Sequence, residues 1–208
     1  MNGMLHRRLL AVLGAALLAL TSTQAAALFL SLDPSAQNAS PGDPVSLDLV
    51  VSGLGDFAPD SLGAFDVDIG YDPAALVFTG YTLGSLLGDP FLFEALDLSL
   101  GDLGVVINLA EVSLLSDSEL DALQPASFVL ATLDFTVLTL SPGSSTLVTI
   151  DNVYAIGDAF GQPLPVDGTN DAVISNPSGN IPEPSILALM SLGLGLAGLD
   201  MARRRSKG

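Results

Sequence analysis

Gly63-Ala64-Phe65-Asp66-Val67-Asp68-Ile69-Gly70-Tyr71-Asp72-Pro73 alternates large apolar residues with aspartate or glycine and then stops at a turn pair. A period of two is the side-chain period of an extended strand, so Phe65, Val67, Ile69 and Tyr71 fall on one face and Asp66, Asp68 and Gly70 on the other. Proline at 73 fixes φ and starts a turn. The same signal recurs on either side. Val45, Leu47, Leu49 and Val51 alternate with Ser46, Asp48 and Ser52, and Val129, Ala131, Leu133, Phe135 and Val137 alternate with Thr132, Asp134 and Thr136. Apolar runs at 28–32, 76–83, 91–100, 103–112, 146–156 and 172–175 are further strand candidates. Turn chemistry separates them at Pro41-Gly42-Asp43, Asp72-Pro73, Gly101-Asp102 and Pro142-Gly143. Ser116-Asp117-Ser118-Glu119 has the spacing of a capping box, and Pro125 ends the short helix that it opens. Eight to ten strands with turns between them predict an all-β chain folded as a single antiparallel β-sandwich. A closed barrel or a β-solenoid is the alternative, and the lack of a fixed-period repeat counts against the solenoid. Phe65, Phe135 and Tyr71 are expected in the core.

The chain has 208 residues, no cysteine, six Lys+Arg and 23 Asp+Glu. Disulfides, thiolate metal sites and cysteine nucleophiles are therefore excluded. So acidic a chain has no basic face with which to neutralise phosphates, so nucleic acid is not expected as a partner. At 49% hydrophobic residues it is too apolar for a disordered acidic chain. All the basic residues lie at the ends: His6, Arg7 and Arg8, then Arg203, Arg204, Arg205 and Lys207. Between Leu28 and Asn180 there are 18 Asp and 3 Glu and no basic residue at all.

The ends read as targeting signals. His6-Arg7-Arg8, the apolar run Leu9–Leu20 and Ala25-Ala26-Ala27 have the order of a secretory signal peptide, which assigns residues 1–27 to a signal helix removed on export. The body runs over 28–176, with a short linker at 177–180. Residues 181–208 hold Pro182-Glu183-Pro184, an apolar segment at 185–202 and a basic tail at 203–208. A helix from Ile186 to Ala202 would span about 25 Å, at the short end of the transmembrane range. The basic tail should stay in the cytoplasm and leave the body outside. The two prolines hold the segment before the helix extended, and Glu183 gives it a fixed anionic point.

These C-terminal residues resemble the PEP-CTERM sorting signal, on Pro182, Glu183 and Pro184, the apolar helix, and the cluster Arg203, Arg204 and Arg205. Asp200 departs from the uncharged helix of that signal. The resemblance implies recognition by an exosortase after export by the general secretion machinery. It also implies inner-membrane anchoring before processing, then display at the surface of a Gram-negative bacterium that makes exopolysaccharide or biofilm. The body resembles a cohesin-like domain, on Pro41-Gly42-Asp43-Pro44-Val45, on the strand and Tyr71-Asp72-Pro73 turn quoted above with Leu76, and on Leu130-Ala131-Thr132-Leu133-Asp134-Phe135. That resemblance implies a jelly-roll-like sandwich of about nine strands, related to carbohydrate-binding modules. It does not by itself imply a dockerin partner.

Catalytic tools are scarce. The mature body has no histidine, lysine or arginine, which removes the common acid–base, Schiff-base and triad chemistries. Only a carboxylate pair for glycoside hydrolysis remains, with Glu94, Glu111 and Glu119 as candidates. No enzyme is expected. Calcium is the one cofactor that the residues leave open, since it takes six to eight oxygens. Asp66, Asp68 and Asp72 are its candidate ligands, and Asp167-Gly168-Thr169-Asn170-Asp171 is an oxygen-rich loop. With no Trp and three Tyr, an aromatic sugar platform is thin. The expectation is a non-enzymatic structural or adhesive module associated with exopolysaccharide or other surface proteins. The alternatives are a specific carbohydrate- or protein-binding module and, third, a carboxylate-based hydrolase.

Overall fold

The computed structural model describes residues 27–178. The expected signal peptide, the Pro182-Glu183-Pro184 motif, the apolar segment 185–202 and the basic cluster Arg203, Arg204 and Arg205 lie outside the described residues. Among those described, no helix is long and apolar enough to cross a membrane.

The strands are β1 (Leu28–Asp33), β2 (Ala36–Asn38), β3 (Pro44–Ser52), β4 (Ala64–Tyr71), β5 (Leu76–Leu83), β6 (Ala95–Asp97), β7 (Gly101–Asp102), β8 (Val106–Ser113), β9 (Ser127–Val137), β10 (Ser145–Gly157), β11 (Val166–Asn170) and β12 (Ala172–Ser175). One helix, α1 (Asp117–Leu123), joins β8 to β9. Nine of the strands have four or more residues, and the other three are short edge pieces. They form two sheets, one ordered β11-β1-β3-β9-β5 and the other β2-β12-β10-β4-β8-β6, with β7 pairing to β8. The alternating segments bury as their period requires except at Val129, where a shift of register against β3 puts Phe128 and Leu130 in the core and leaves Val129 only partly buried. In β4, Phe65, Val67 and Ile69 join one core with Val45, Leu47, Leu49 and Val51 of β3 and Leu133, Phe135 and Val137 of β9. The Phe135 ring sits 5.6 Å from both Tyr71 and Phe78, in tilted and edge-on contact. Tyr71 is only partly buried, because its hydroxyl reaches Asp102 at 3.0 Å.

Three expectations need correction. The sandwich is mostly antiparallel, but β1 pairs parallel with β11 and β12 pairs parallel with β2. The run 91–100 is not one strand: a 3-10 turn occupies Pro90–Leu92, and only Ala95–Asp97 pairs with β8. Proline opens that turn, and Phe93 caps it with a φ of 59°, which stops extended pairing. Asp167-Gly168-Thr169-Asn170 is not a loop but strand β11, held against Phe29, Leu30 and Ser31. Gly168 lies where a Cβ would stand 2.9 Å from the Phe29 ring, so the missing side chain lets the ring close over the edge.

The register defines two ends. The distal end holds Ser52, Ala64, Ser113, Ser127 and Gly157, paired across β3–β9, β4–β8 and β4–β10. The exit end holds Asp43, Tyr71, Ser145 and Ser175, where the chain leaves. At the distal end Gln124, just after α1 and 1% exposed, clasps two loops. Its Oε1 accepts from Leu62 N–H at 2.7 Å, and its Nε2 donates to Leu62 O at 2.8 Å and Leu86 O at 3.0 Å. Phe57 N–H donates to its backbone oxygen at 2.9 Å. At the exit end the buried Asn176 fastens the chain, its Nδ2 donating to Leu140 O at 2.7 Å.

Candidate docking face

With Phe65, Val67 and Ile69 turned inward, Asp66 and Asp68 of β4 must point out of the sandwich. Asn108 lies opposite Asp68 on β8. The amide of Asn108 donates one hydrogen bond to Asp66 Oδ1 at 2.9 Å and one to Asp68 Oδ1 at 3.0 Å. From the other side, β10 supplies Tyr154, whose hydroxyl donates to Asp68 Oδ2 at 2.8 Å, and Asn152, whose amide lies 3.5 Å from the same oxygen. The two carboxylates are therefore joined through neutral donors. The hydrogen bond and charge of Asp68 push the Tyr154 phenol above its ordinary value.

Apolar residues border this polar centre. Leu98 donates its N–H to Ala110 O, and Leu100 donates its N–H to Asn108 Oδ1 at 3.2 Å, which lays the β6–β7 segment along the sheet. Leu98, Leu100 and Leu103 remain exposed beside it. Together with Tyr154, Ala155 and Val112 they line a shallow hollow of about 580 Å³ over Asp66, Asp68 and Asn108. The face thus combines a rigid polar centre with an apolar margin, an arrangement that suits a partner able to fill the hollow and match the carboxylates.

The sequence candidates are scattered differently. Asp72 does not join Asp66 and Asp68; it sits in the turn at the exit end, where its Oδ1 accepts from Ala74 N–H at 2.9 Å. Asp171 accepts from Ile150 N–H at 2.9 Å, an edge contact between β12 and β10 rather than a ligand position. Among the described residues no group of three or more His, Asp or Glu side chains is placed to hold a metal ion. The three glutamates do not meet. Glu94 accepts from Asp89 N–H at 3.1 Å, and Glu119 accepts from the Ser116 hydroxyl at 2.6 Å and, closing the capping box, from Ser116 N–H at 2.9 Å, which lowers its carboxyl value. Glu111 faces inward between the sheets, fully buried, opposite Phe65 on one side and Asp97 on the other. Neither of its carboxylate oxygens has a hydrogen-bond partner. Burial first, and then the charge of Asp97, raises it to about 7. Asn108 and Tyr154, which complete the face, carried no sequence signal as partners, being 40 and 86 residues from Asp68.

Comparison with solved structures identifies the architecture. CaCohA2 from Clostridium acetobutylicum superposes with a TM-score of 0.58 at 18% identity, covering 77% of this chain and 97% of that one. The fold is that of a cohesin domain. A type II cohesin from the cellulosome of Acetivibrio cellulolyticus matches with a TM-score of 0.55 at 18% identity, over 72% of this chain and 94% of that one. A type I cohesin–dockerin complex from Clostridium thermocellum matches with a TM-score of 0.57 at 12% identity, over 72% and 99%. The family model described as the PEP-CTERM protein-sorting motif matches residues 180–206. The cohesin-like sandwich is thus followed by a PEP-CTERM sorting motif, the mark of an exported protein that is anchored in the membrane and then processed as an exosortase substrate. No curated protein matches the chain.

Proposed function

We propose that this protein is a non-enzymatic, exported binding module whose outer β10-β4-β8-β6 face docks a partner protein at the surface of a Gram-negative bacterium. The observation that carries the reading is the face itself: Asp66 and Asp68 held rigid by Asn108 and Tyr154, with Leu98, Leu100 and Leu103 exposed beside them. Exposed leucines on an otherwise acidic sheet are costly to leave in water and useful when a partner covers them. The similar structures include cohesins in complex with dockerins, which supports protein rather than sugar as the ligand class. The signal peptide delivers the module, and the sorting tag retains it until processing.

The test is capture from host surface extracts with the exported protein, comparing wild type with Leu100→Ser/Leu103→Ser and Tyr154→Ala. A saturable partner that the face variants lose supports the reading. Binding that the variants retain, or saturable binding to glycans alone, rejects it. A second reading, a structural role in an exopolysaccharide matrix, is favoured by one observation: 21 carboxylates between Leu28 and Asn180 with no basic residue, which bind an anionic polymer only through bridging divalent cations. Release from the matrix by chelator supports that role, and retention in chelator removes it.

A further inference from the structure

Nine phenylalanines are present in the chain, and four of them stand out in solvent: Phe57, Phe91, Phe93 and Phe160, at 60%, 92%, 82% and 72% exposure. All four belong to connections at the distal end. Phe57 lies between β3 and β4, Phe91 and Phe93 between β5 and β6, and Phe160 between β10 and β11. These connections are fastened. The Gln124 side chain joins the first two, Gly63 N–H donates to Gly157 O at 2.8 Å, and Asp158 accepts from Phe160 N–H at 2.9 Å and Gln162 N–H at 2.7 Å. Phe57 and Phe93 also have φ of 54° and 59°, a left-handed backbone that is unusual for a bulky residue. The rings are therefore held out rather than left loose.

Charge around the rings selects the occupant. Asp60 in the β3–β4 connection, Asp117 and Asp121 in α1 and Asp158 just after β10 all lie at this end, and loss of hydration first, then the charges of Asp121, Asp158 and Asp60, raise the Asp117 carboxyl above its ordinary value. Asp89 and Glu94 flank Phe91 and Phe93. Anionic lipid and a second copy of this chain would both bring like charge to the surface. The anchoring membrane is also on the wrong side. Asn176 is fixed at the exit end, and the six residue steps from it to Pro182 reach about 20 Å at most, which holds the exit end toward that membrane.

We propose that the distal end is a second docking site, independent of the sheet face, that takes a basic amphipathic polypeptide segment of a partner protein. Its apolar side chains cover the phenylalanine rings, and its arginines stack on ring faces and pair with the surrounding carboxylates. The experiment uses the full chain in nanodiscs of zwitterionic lipid, with empty nanodiscs subtracted. The probe is an amphipathic helical peptide of leucine and arginine, with a leucine–glutamate peptide as control. Saturable binding of the basic peptide alone is expected. Phe91→Ser/Phe93→Ser/Phe160→Ser should weaken it by roughly tenfold or more. Asp60→Asn/Asp117→Asn should weaken it and flatten its salt dependence, and this variant decides the matter if the triple variant fails to unfold cooperatively. Leu100→Ser/Leu103→Ser on the sheet face should leave binding unchanged. No saturable binding, equal binding by the distal variants, or ring-dependent binding to phosphatidylethanolamine–phosphatidylglycerol vesicles instead would overturn the proposal.

Discussion

A carboxylate in this sandwich has no cation to lean on, so it accepts from neutral donors or goes without. All three tyrosines are used in this way, Tyr71 to Asp102 at 3.0 Å, Tyr81 to Asp97 at 2.9 Å and Tyr154 to Asp68 at 2.8 Å. Asn108 serves two carboxylates at once. Asn108→Ala should therefore cost on the order of 1–3 kcal/mol in urea unfolding, because Asp68 is 8% exposed and loses a donor that water replaces poorly. Glu111 goes without at both oxygens. Its carboxyl rises from an ordinary 4.5 to about 7, so the folded state keeps its proton to higher pH than the unfolded state does. The stability it lends is complete below about 4.5, falls as pH climbs to about 7, and is level above that. Glu111→Gln should flatten this window and stabilise the protein at pH 8 by on the order of 2–3 kcal/mol, read from denaturant midpoints across pH. An unchanged slope would mean that the wild-type carboxyl titrates at its ordinary value.

Among the elements, the clasp at Gln124 matters more than its size suggests, because one amide satisfies polar groups on two loops that have no sheet partner there. Gln124→Met should destabilise the sandwich by on the order of 2–4 kcal/mol and speed amide exchange at Leu62 first. Such elements also mark where sequence reading stops. The strands around Val45–Val51, Phe65–Tyr71 and Ala131–Val137 were legible because each alternates apolar core residues with polar or small residues on the outer face, whereas the bulge at Val129 left no local mark. Helix α1 was legible from its capping box, which forms as Ser116 and Glu119 predict. The stretch 91–100 misled because an apolar run reads as buried, whereas its rings are displayed. β11 misled because its glycine, threonine and asparagine pair with residues well over a hundred positions away. Half of the candidate face was visible in Asp66 and Asp68; the donors that fix it arrive through long-range pairing, which no local pattern records.

For the whole molecule, 21 like charges between Leu28 and Asn180 repel one another with nothing to offset them. Salt should relieve this: screening shortens to about 3 Å at 1 M, so the melting temperature should climb with sodium chloride instead of staying flat. A flat response would mean that the charges are already too far apart to matter. Intact mass of the protein from its host, by cell fraction, locates the two processing points; a surface product that still carried Arg203 to Lys207 would contradict sorting. The two ends of the sandwich also have a mechanical meaning. Tension between a partner held at the distal end and the chain leaving at Asn176 runs along the strands. β12, the last strand before the exit, is flanked by β10 through four residue pairs and by β2 through three. Pulled lengthwise, those ladders are strained together in shear rather than opened one bond at a time like a zip. A tether that leaves from this corner lets a four-residue strand resist drag at the cell surface that would peel it away if applied sideways.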